Sequence, residues 1–226
     1  MGKKLVIVGA GEMAEIAYEY FTHDSEYDVV AFAVEAQYLN EKSMLFDLPI
    51  IEIGEMNIKY PPNEYETFVA ISSTEVNRVR TRLYNQCKRL GYRCASYVSS
   101  KAFVWHNVEI GENSFIFEDN TLQYHVKIGN NVILWSGNHV GHRTVVEDNC
   151  FLTSHVVVSG YCHIGKNSFI GVNATIGDYV DIAEDVLLSA GSVTVKALDK
   201  KGYIYMGSPA KPQKTIYEKY GIKEDA

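Results

Sequence analysis

The stretch VWHNVEIGENSFIFEDNTLQYHVKIGNNVIL, residues 104–134, decides the fold, because an aliphatic residue returns at every sixth place. The series opens with Val104, Ile110, Ile116, Leu122, Ile128 and Leu134. It continues unbroken through Val140, Val146, Leu152, Val158, Ile164, Ile170, Ile176, Ile182 and Leu188. The place after the aliphatic is often Gly (Gly111, Gly129, Gly141, Gly165, Gly171, Gly177). Two places later Asn recurs (Asn107, Asn113, Asn131, Asn149, Asn167, Asn173), a residue that tolerates the left-handed backbone of a corner. The next position is mostly small or short, as at Ser114, Thr144, Cys150, Ala174 and Ser192. A period of six fits neither a helix, near 3.6, nor a plain strand, at two. It fits a β-helix whose coils are built from hexapeptide sides. Three hexads make one triangular coil, so residues 104–193 predict five coils in which residues eighteen apart are stacked neighbours. At the ~4.8 Å spacing of adjacent strands the prism is about 24 Å tall.

The chain in front of the hexads follows different rules. Residues 3–9, KKLVIVG, read as a buried parallel strand, and Gly9-Ala10-Gly11 leads into a helical pattern at Met13, Ile16, Ala17 and Tyr20. A strand, a glycine turn and a helix together direct backbone N–H groups at an anion. The spelling Gly9-x-Gly11-x-x-Ala14 matches a dinucleotide fingerprint loosely. A second strand, 28–34, ends at Glu35, whose carboxylate is placed to accept from a ribose or base. Residues 66–72 read as a third strand, and 75–90 as an amphipathic helix carrying Arg78, Arg80 and Arg82. Residues 1–100 are therefore expected to form a small α/β domain with a parallel sheet, and 101–226 a β-helix with a tail. The tail leaves the hexad pattern after Leu198, turns at Gly207-Ser208-Pro209-Ala210-Lys211 and ends in a short helix near 215–220.

Composition narrows the classes. The net charge is −7 with no basic cluster, which speaks against nucleic acid or an anionic membrane surface. No apolar run approaches the ~20 residues of a membrane helix, and the opening MGKKLVIVGAG reads as a strand rather than a signal peptide. Cys87, Cys94, Cys150 and Cys162 form no C-x-x-C pair and read as reduced packing residues of a cytoplasmic protein. Six of the seven histidines (His106, His125, His139, His142, His155, His163) lie in the prism, more than a plain spacer needs.

The hexads, followed by Val193-x-Val195 and the Gly207-Ser208-Pro209-Ala210-Lys211 turn, resemble the left-handed β-helix acyltransferases. The small α/β domain in front makes the chain similar to sialic-acid O-acetyltransferase and the bacterial nucleotide-aminosugar N-acetyltransferases. That resemblance implies a left-handed prism, acetyl-CoA as co-substrate, no metal, a nucleotide-linked sugar as acceptor and a homotrimer with sites shared between prisms. It places the general base on His142, in Gly141-His142-Arg143-Thr144. Arg143 stands where the family has an acidic residue, so Glu147, Asp148 or a carboxylate from another subunit is left to orient the imidazole. The family's second outer-face histidine is matched by Phe151, and its acceptor-holding asparagine by Trp135, with Asn138 and His139 nearby. Stacking puts Gly160 one coil above His142, where its N–H would meet the acetyl carbonyl. The column Ser154, Val172 and Ala190 would admit the pantetheine arm. In the front domain, Gly9, Gly11, Glu12 and Met13 match the family's nucleotide turn, and Glu35 matches one of its acidic pair.

The implied chemistry is acyl transfer by a neutral imidazole, whose ordinary pKa near 6.5 suits a base at neutral pH. Nothing in the sequence separates an amine from a hydroxyl acceptor, so sugar O-acetylation stands as the alternative. Two rivals come from other classes. One is a non-catalytic scaffold. The other is a metal hydratase like the γ-class carbonic anhydrases, which share the prism and need two histidines about five apart plus a third. Here the nearest pair is His139 and His142, with His155 beyond.

Overall fold

The computed structural model describes residues 2–39 and 43–224. The chain divides into two compact units: Met1–Ser72 with Val79–Tyr97, and Ser73–Arg78 with Val98–Ala226.

The first unit is an α/β sandwich. Strand β1 (Lys3–Val8) is followed along the chain by α1 (Glu12–His23), β2 (Tyr27–Val34), β3 (Met44–Leu45), β4 (Leu48–Glu52), α2 (Met56–Lys59), β5 (Glu66–Val69) and α3 (Arg78–Arg89), and pairs with β2 on one side and β5 on the other. The sheet order is β3-β4-β2-β1-β5. All its pairings are parallel except the β3–β4 hairpin at one edge. Leu5, Val6, Ile7 and Val8 are all buried, because a parallel strand covered on both faces must be apolar on both. That hairpin was not legible in the sequence.

The helix expected over 75–90 is shorter, Arg78–Arg89. Ahead of it Glu75, Val76 and Asn77 all have left-handed φ, at 51°, 48° and 71°. Such a run ends any helical register. It makes Ser73–Arg78 a strap that belongs to the second unit. Val76 packs with Ile204 and Ile216 there, against Phe169 and Leu187.

The second unit is the prism. Two-residue strands recur every sixth residue from Phe103–Val104 to Val193–Thr194, and those up to Thr175–Ile176 each pair in parallel with the strand eighteen residues on. From Ile116 to Leu188 every sixth-place aliphatic is buried. Each such side chain contributes about 1.5–3 kcal/mol by leaving water. The fourteen corners from 113 to 191 all have positive φ, a backbone that costs an ordinary residue roughly 1–2 kcal/mol. One corner offsets this with an amide ladder. Asn113 Nδ2 donates to Asn131 Oδ1 (2.8 Å), Asn131 to Asn149 (2.9 Å) and Asn149 to Asn167 (3.0 Å). Asn77 of the strap then donates to the Asn167 carbonyl (3.1 Å). Above it Arg78 pairs with Asp185 at 2.8 Å, both buried, and Tyr217 donates to the other Asp185 oxygen at 2.9 Å.

One flat side of the prism carries large apolar residues. Phe115, Ile133 and Phe151 point outward from it and are buried. Past the hexads, Tyr203–Met206 adds a parallel strand beside Leu187–Leu188, and Lys211–Thr215 turns back antiparallel. Helix α4 (Ile216–Tyr220) is closed by a Thr215–Glu218 capping box and by Gly221 at φ 66°. All four cysteines are buried thiols outside any disulfide; Cys150 and Cys162 donate to the Gly165 and Gly177 carbonyls at 3.3 and 3.0 Å.

Candidate active site

The corner that carries His142 is built unlike the asparagine corner. Its successive left-handed residues are His125, Arg143, Tyr161 and Tyr179, at φ 55°, 58°, 58° and 60°. Large side chains at positions that favour Asn or Gly signal a local rule set aside, which is commonest at functional sites. Tyr161 and Tyr179 stack at 4.9 Å and 11°, and the Tyr161 ring meets the His142 imidazole edge-to-face at 5.1 Å and 84°.

His142 is exposed, and its ring lies across Gly160. The Gly160 N–H, expected to meet the acetyl carbonyl, donates instead to Asp178 Oδ1 at 2.9 Å. Beneath the imidazole stands Gln123, whose Oε1 accepts from the His142 N–H at 3.0 Å and lies 3.4 Å from Nδ1. Gln123 was missed in the sequence, although its place nineteen residues before His142 made it a neighbour one coil down.

The substitutes considered for the missing acid are engaged elsewhere. Glu147 pairs with His163 Nε2 at 3.0 Å and accepts from the Lys166 N–H, and Asp148 accepts from the Asn130 N–H. The Arg143 guanidinium lies over the Tyr124 ring at 5.2 Å. Among the described residues no group of three or more His, Cys, Asp and Glu side chains is placed to hold a metal ion.

Other expected site residues fall differently. Asn138 is buried; its Nδ2 donates to the Trp135 carbonyl and its Oδ1 accepts from the Val156 N–H at 2.7 Å. It is an interior corner support, and a role in holding the acceptor is withdrawn. His139 is half-buried on the flat side that leads to His142, between Thr121 and Val157. Trp135 stacks on Phe117 at 4.5 Å and 8°, and Phe151 on Phe169 at 5.5 Å and 16°. Ser154, Val172 and Ala190 form a column, but the eighteen-residue register puts them at a different corner from His142 within one protomer. An open groove on another face is lined by Glu109, Lys127, Lys166 and Glu184. These pair among themselves, Lys127 with Glu109 at 3.0 Å and Lys166 with Glu184 at 3.3 Å.

In the first unit, Gly9 turns at φ 128° and Gly11 caps the N-terminus of α1 without any side-chain cap. The first amides of that helix are thus left for an anion. Glu12 is exposed there, whereas the Met13 side chain is buried and offers only its backbone. Glu35 makes a two-point pair with Arg82, at 2.8 and 3.0 Å, and the guanidinium holds its carboxyl below the usual range.

Residues 125–160 match the bacterial transferase hexapeptide family (six repeats). No curated protein matches the chain by sequence. Among solved structures, a variant of perosamine N-acetyltransferase from Caulobacter crescentus, in complex with CoA and GDP-perosamine, superposes with a TM-score of 0.82 at 23% identity. That match covers 93% of this chain and 97% of the other. The acetyltransferase domain of PglB from Neisseria gonorrhoeae gives 0.81 at 21% identity over 94% and 100%. WeeI from Acinetobacter baumannii gives 0.77 at 21% over 92% and 99%. The chain therefore carries the transferase hexapeptide repeat in a left-handed parallel β-helix behind an α/β unit. No helix among the described residues is long and apolar enough to cross a membrane.

Proposed function

We propose that the protein is an acetyl-CoA-dependent N-acetyltransferase acting on a nucleotide-linked amino sugar, with His142 as general base. The observation that carries this reading is the exposed His142 ring, held from below by Gln123 and left open above by Gly160. The acceptor amine attacks the thioester carbonyl carbon, a C–N bond forms and the C–S bond breaks. Nε2 of His142 takes the proton the nitrogen loses, and the resulting imidazolium returns it to the departing CoA thiolate.

Support for CoA as the donor comes from the fold: both the perosamine N-acetyltransferase and the PglB domain have been seen with CoA or acetyl-CoA. The Ser154, Val172 and Ala190 column is small and open enough for a pantetheine arm. Since it stands at another corner, the arm reaches His142 only when a neighbouring prism supplies that column, which favours a trimer with shared sites. The uncapped N-terminus of α1 and the Gly9–Met13 turn are assigned to the diphosphate of the acceptor, as GDP-perosamine is the sugar nucleotide held by the Caulobacter enzyme. A reaction that consumes acetyl-CoA and a sugar nucleotide fits a cytoplasmic step.

The test is a panel of nucleotide-linked amino sugars, their hydroxyl counterparts and free sugars, offered with acetyl-CoA while thiol release is followed. Turnover confined to hydroxyl sugars would make the protein an O-acetyltransferase, and acetyl-CoA without any turnover or binding would return the prism to a scaffold.

A further inference from the structure

The orientation of one side-chain amide settles where the proton of the resting imidazole resides. We infer that Gln123 is the positioning residue of His142, holding its neutral ring with the proton on Nδ1 and the lone pair on Nε2. This rests on His142 being the base.

The backbone N–H of His142 lies 3.0 Å from Gln123 Oε1. A backbone N–H only donates, so the end of the amide turned toward it is the oxygen and not the NH2. The usual ambiguity of a glutamine amide is thereby removed at this residue. The same oxygen lies 3.4 Å from Nδ1. A carbonyl oxygen only accepts, and in a neutral imidazole one nitrogen donates while the other accepts. Nδ1 is therefore the donor and Nε2 the free base. Nε2 lies over Gly160, where a Cβ would stand only 2.8 Å away, so the basic nitrogen faces the one position in its column that carries no side chain. Tyr161 fixes the remaining face of the ring edge-on.

Gln123 differs from an acidic partner in one chemical respect. It supplies direction without charge, so it selects the tautomer but gives the imidazolium no full ionic partner. The other titratable or charged groups at this corner are Tyr124, His125, Arg143, Tyr161, Asp178 and Tyr179. Arg143 is turned onto Tyr124, and Asp178 is occupied by the Gly160 N–H. A one-coil step thus delivers what the residue next to His142 does not.

The test uses the full chain labelled with 15N. In the wild type, at a pH above the imidazole titration, His142 is expected as the Nδ1–H tautomer, opposite to the form free histidine prefers. Gln123→Leu should return it to Nε2–H. An Nε2–H form in the wild type overturns the inference whatever the activity. In turnover, Gln123→Leu should lose roughly 10–100-fold in kcat at unchanged acetyl-CoA KM, the scale of a displaced catalytic group. Gln123→Glu should keep the tautomer and move the acid limb of the pH–rate profile to higher pH, since a carboxylate favours the imidazolium. Wild-type kcat in Gln123→Leu, or an unmoved limb in Gln123→Glu, also overturns it. The expected tautomer in a protein that transfers no acetyl group would support the positioning role and reject the enzyme reading, so the two failures are distinct.

Discussion

A Cβ placed on Gly160 would stand 2.6 Å from Cε1 and 2.8 Å from Nε2 of His142, so the imidazole occupies space that only a glycine leaves open. The obstructing atoms belong to an exposed side chain and not to backbone, so a methyl group there turns the ring aside without disturbing the coil. Gly160→Ala is expected to melt within a few degrees of the wild type yet lose about 10²-fold in kcat, the usual cost of a ring displaced by an ångström. Stopped-assay kinetics beside a thermal melt measure both, and an unchanged kcat would detach the base from this ring position.

His142→Asn should lower kcat by ~10²–10⁴ while acetyl-CoA affinity, measured by calorimetry, stays near the wild-type value. Near-normal turnover would move the base to another histidine. His139, on the flat side that leads to His142, is the next candidate.

Most of the prism was legible because a period of six leaves no other assignment for fifteen consecutive aliphatics. The five coils and the asparagine corners follow from that alone. What was not legible depended on contacts between coils or outside the repeat. Gln123 reads as an ordinary polar residue until the coil above sets His142 on it. Asn138 looks like a binding residue by its neighbours in sequence, but its hexad place puts it inside, where both ends of its amide are used. The strap at 73–78 overlaps the start of the helix expected over 75–90, and only three successive left-handed residues reveal that the chain leaves the first unit there. In the front unit Glu35 was read as free for a ligand because its partner, Arg82, comes from a helix 47 residues on.

That pair gives a pH prediction. The Arg82 hydrogen bonds hold the folded Glu35 carboxyl below its usual 4.5. A depressed folded pKa contributes stability above the unfolded value, and the contribution is lost as pH falls through the folded one. Both side chains are partly exposed, so Arg82→Ala should cost only about 0.2–1 kcal/mol at neutral pH. Denaturant titrations from pH 7 downward should show the gap between variant and wild type closing below the usual carboxylate value. A gap that persists into acid would mean Arg82 contributes by packing rather than through Glu35.

The Arg78–Asp185 pair carries a larger stake. Its side chains are 6% and 3% exposed, and Asp185 also receives the Tyr217 hydroxyl. Removing the guanidinium leaves a buried carboxylate without its counter-charge, a loss of about 3–5 kcal/mol for pairs of this kind. Arg78→Ala should lower the unfolding midpoint accordingly, whereas Arg78→Ala with Asp185→Asn should recover part of the loss. Equal stability of the single and double variants would show that the charges are not coupled. The assembly is a separate measurement: a hydrodynamic mass near three times 25.4 kDa is expected, and a monomer at micromolar concentration would remove the shared site.

The glycine turn of the front unit separates folding from binding most cleanly. Gly9 and Gly11 stand two residues apart and obey different constraints. Gly9 has φ 128°, and a Cβ there would lie 2.8 Å from the Ala70 carbonyl oxygen, so Gly9→Ala strains the backbone and the β1–β5 contact together. It should destabilise the protein by about 1–3 kcal/mol whatever its ligand. Gly11 has φ −97° and ψ −170°, ordinary extended values, and nothing lies within 4 Å of an added Cβ. Gly11→Val therefore folds, and its branched side chain stands in the open space before the first amides of α1. If those amides hold the acceptor's diphosphate, the variant should raise acceptor KM at least tenfold, the effect of ~1.4 kcal/mol, and leave acetyl-CoA KM unchanged. Normal acceptor kinetics in a folded Gly11→Val would place the nucleotide somewhere other than this helix.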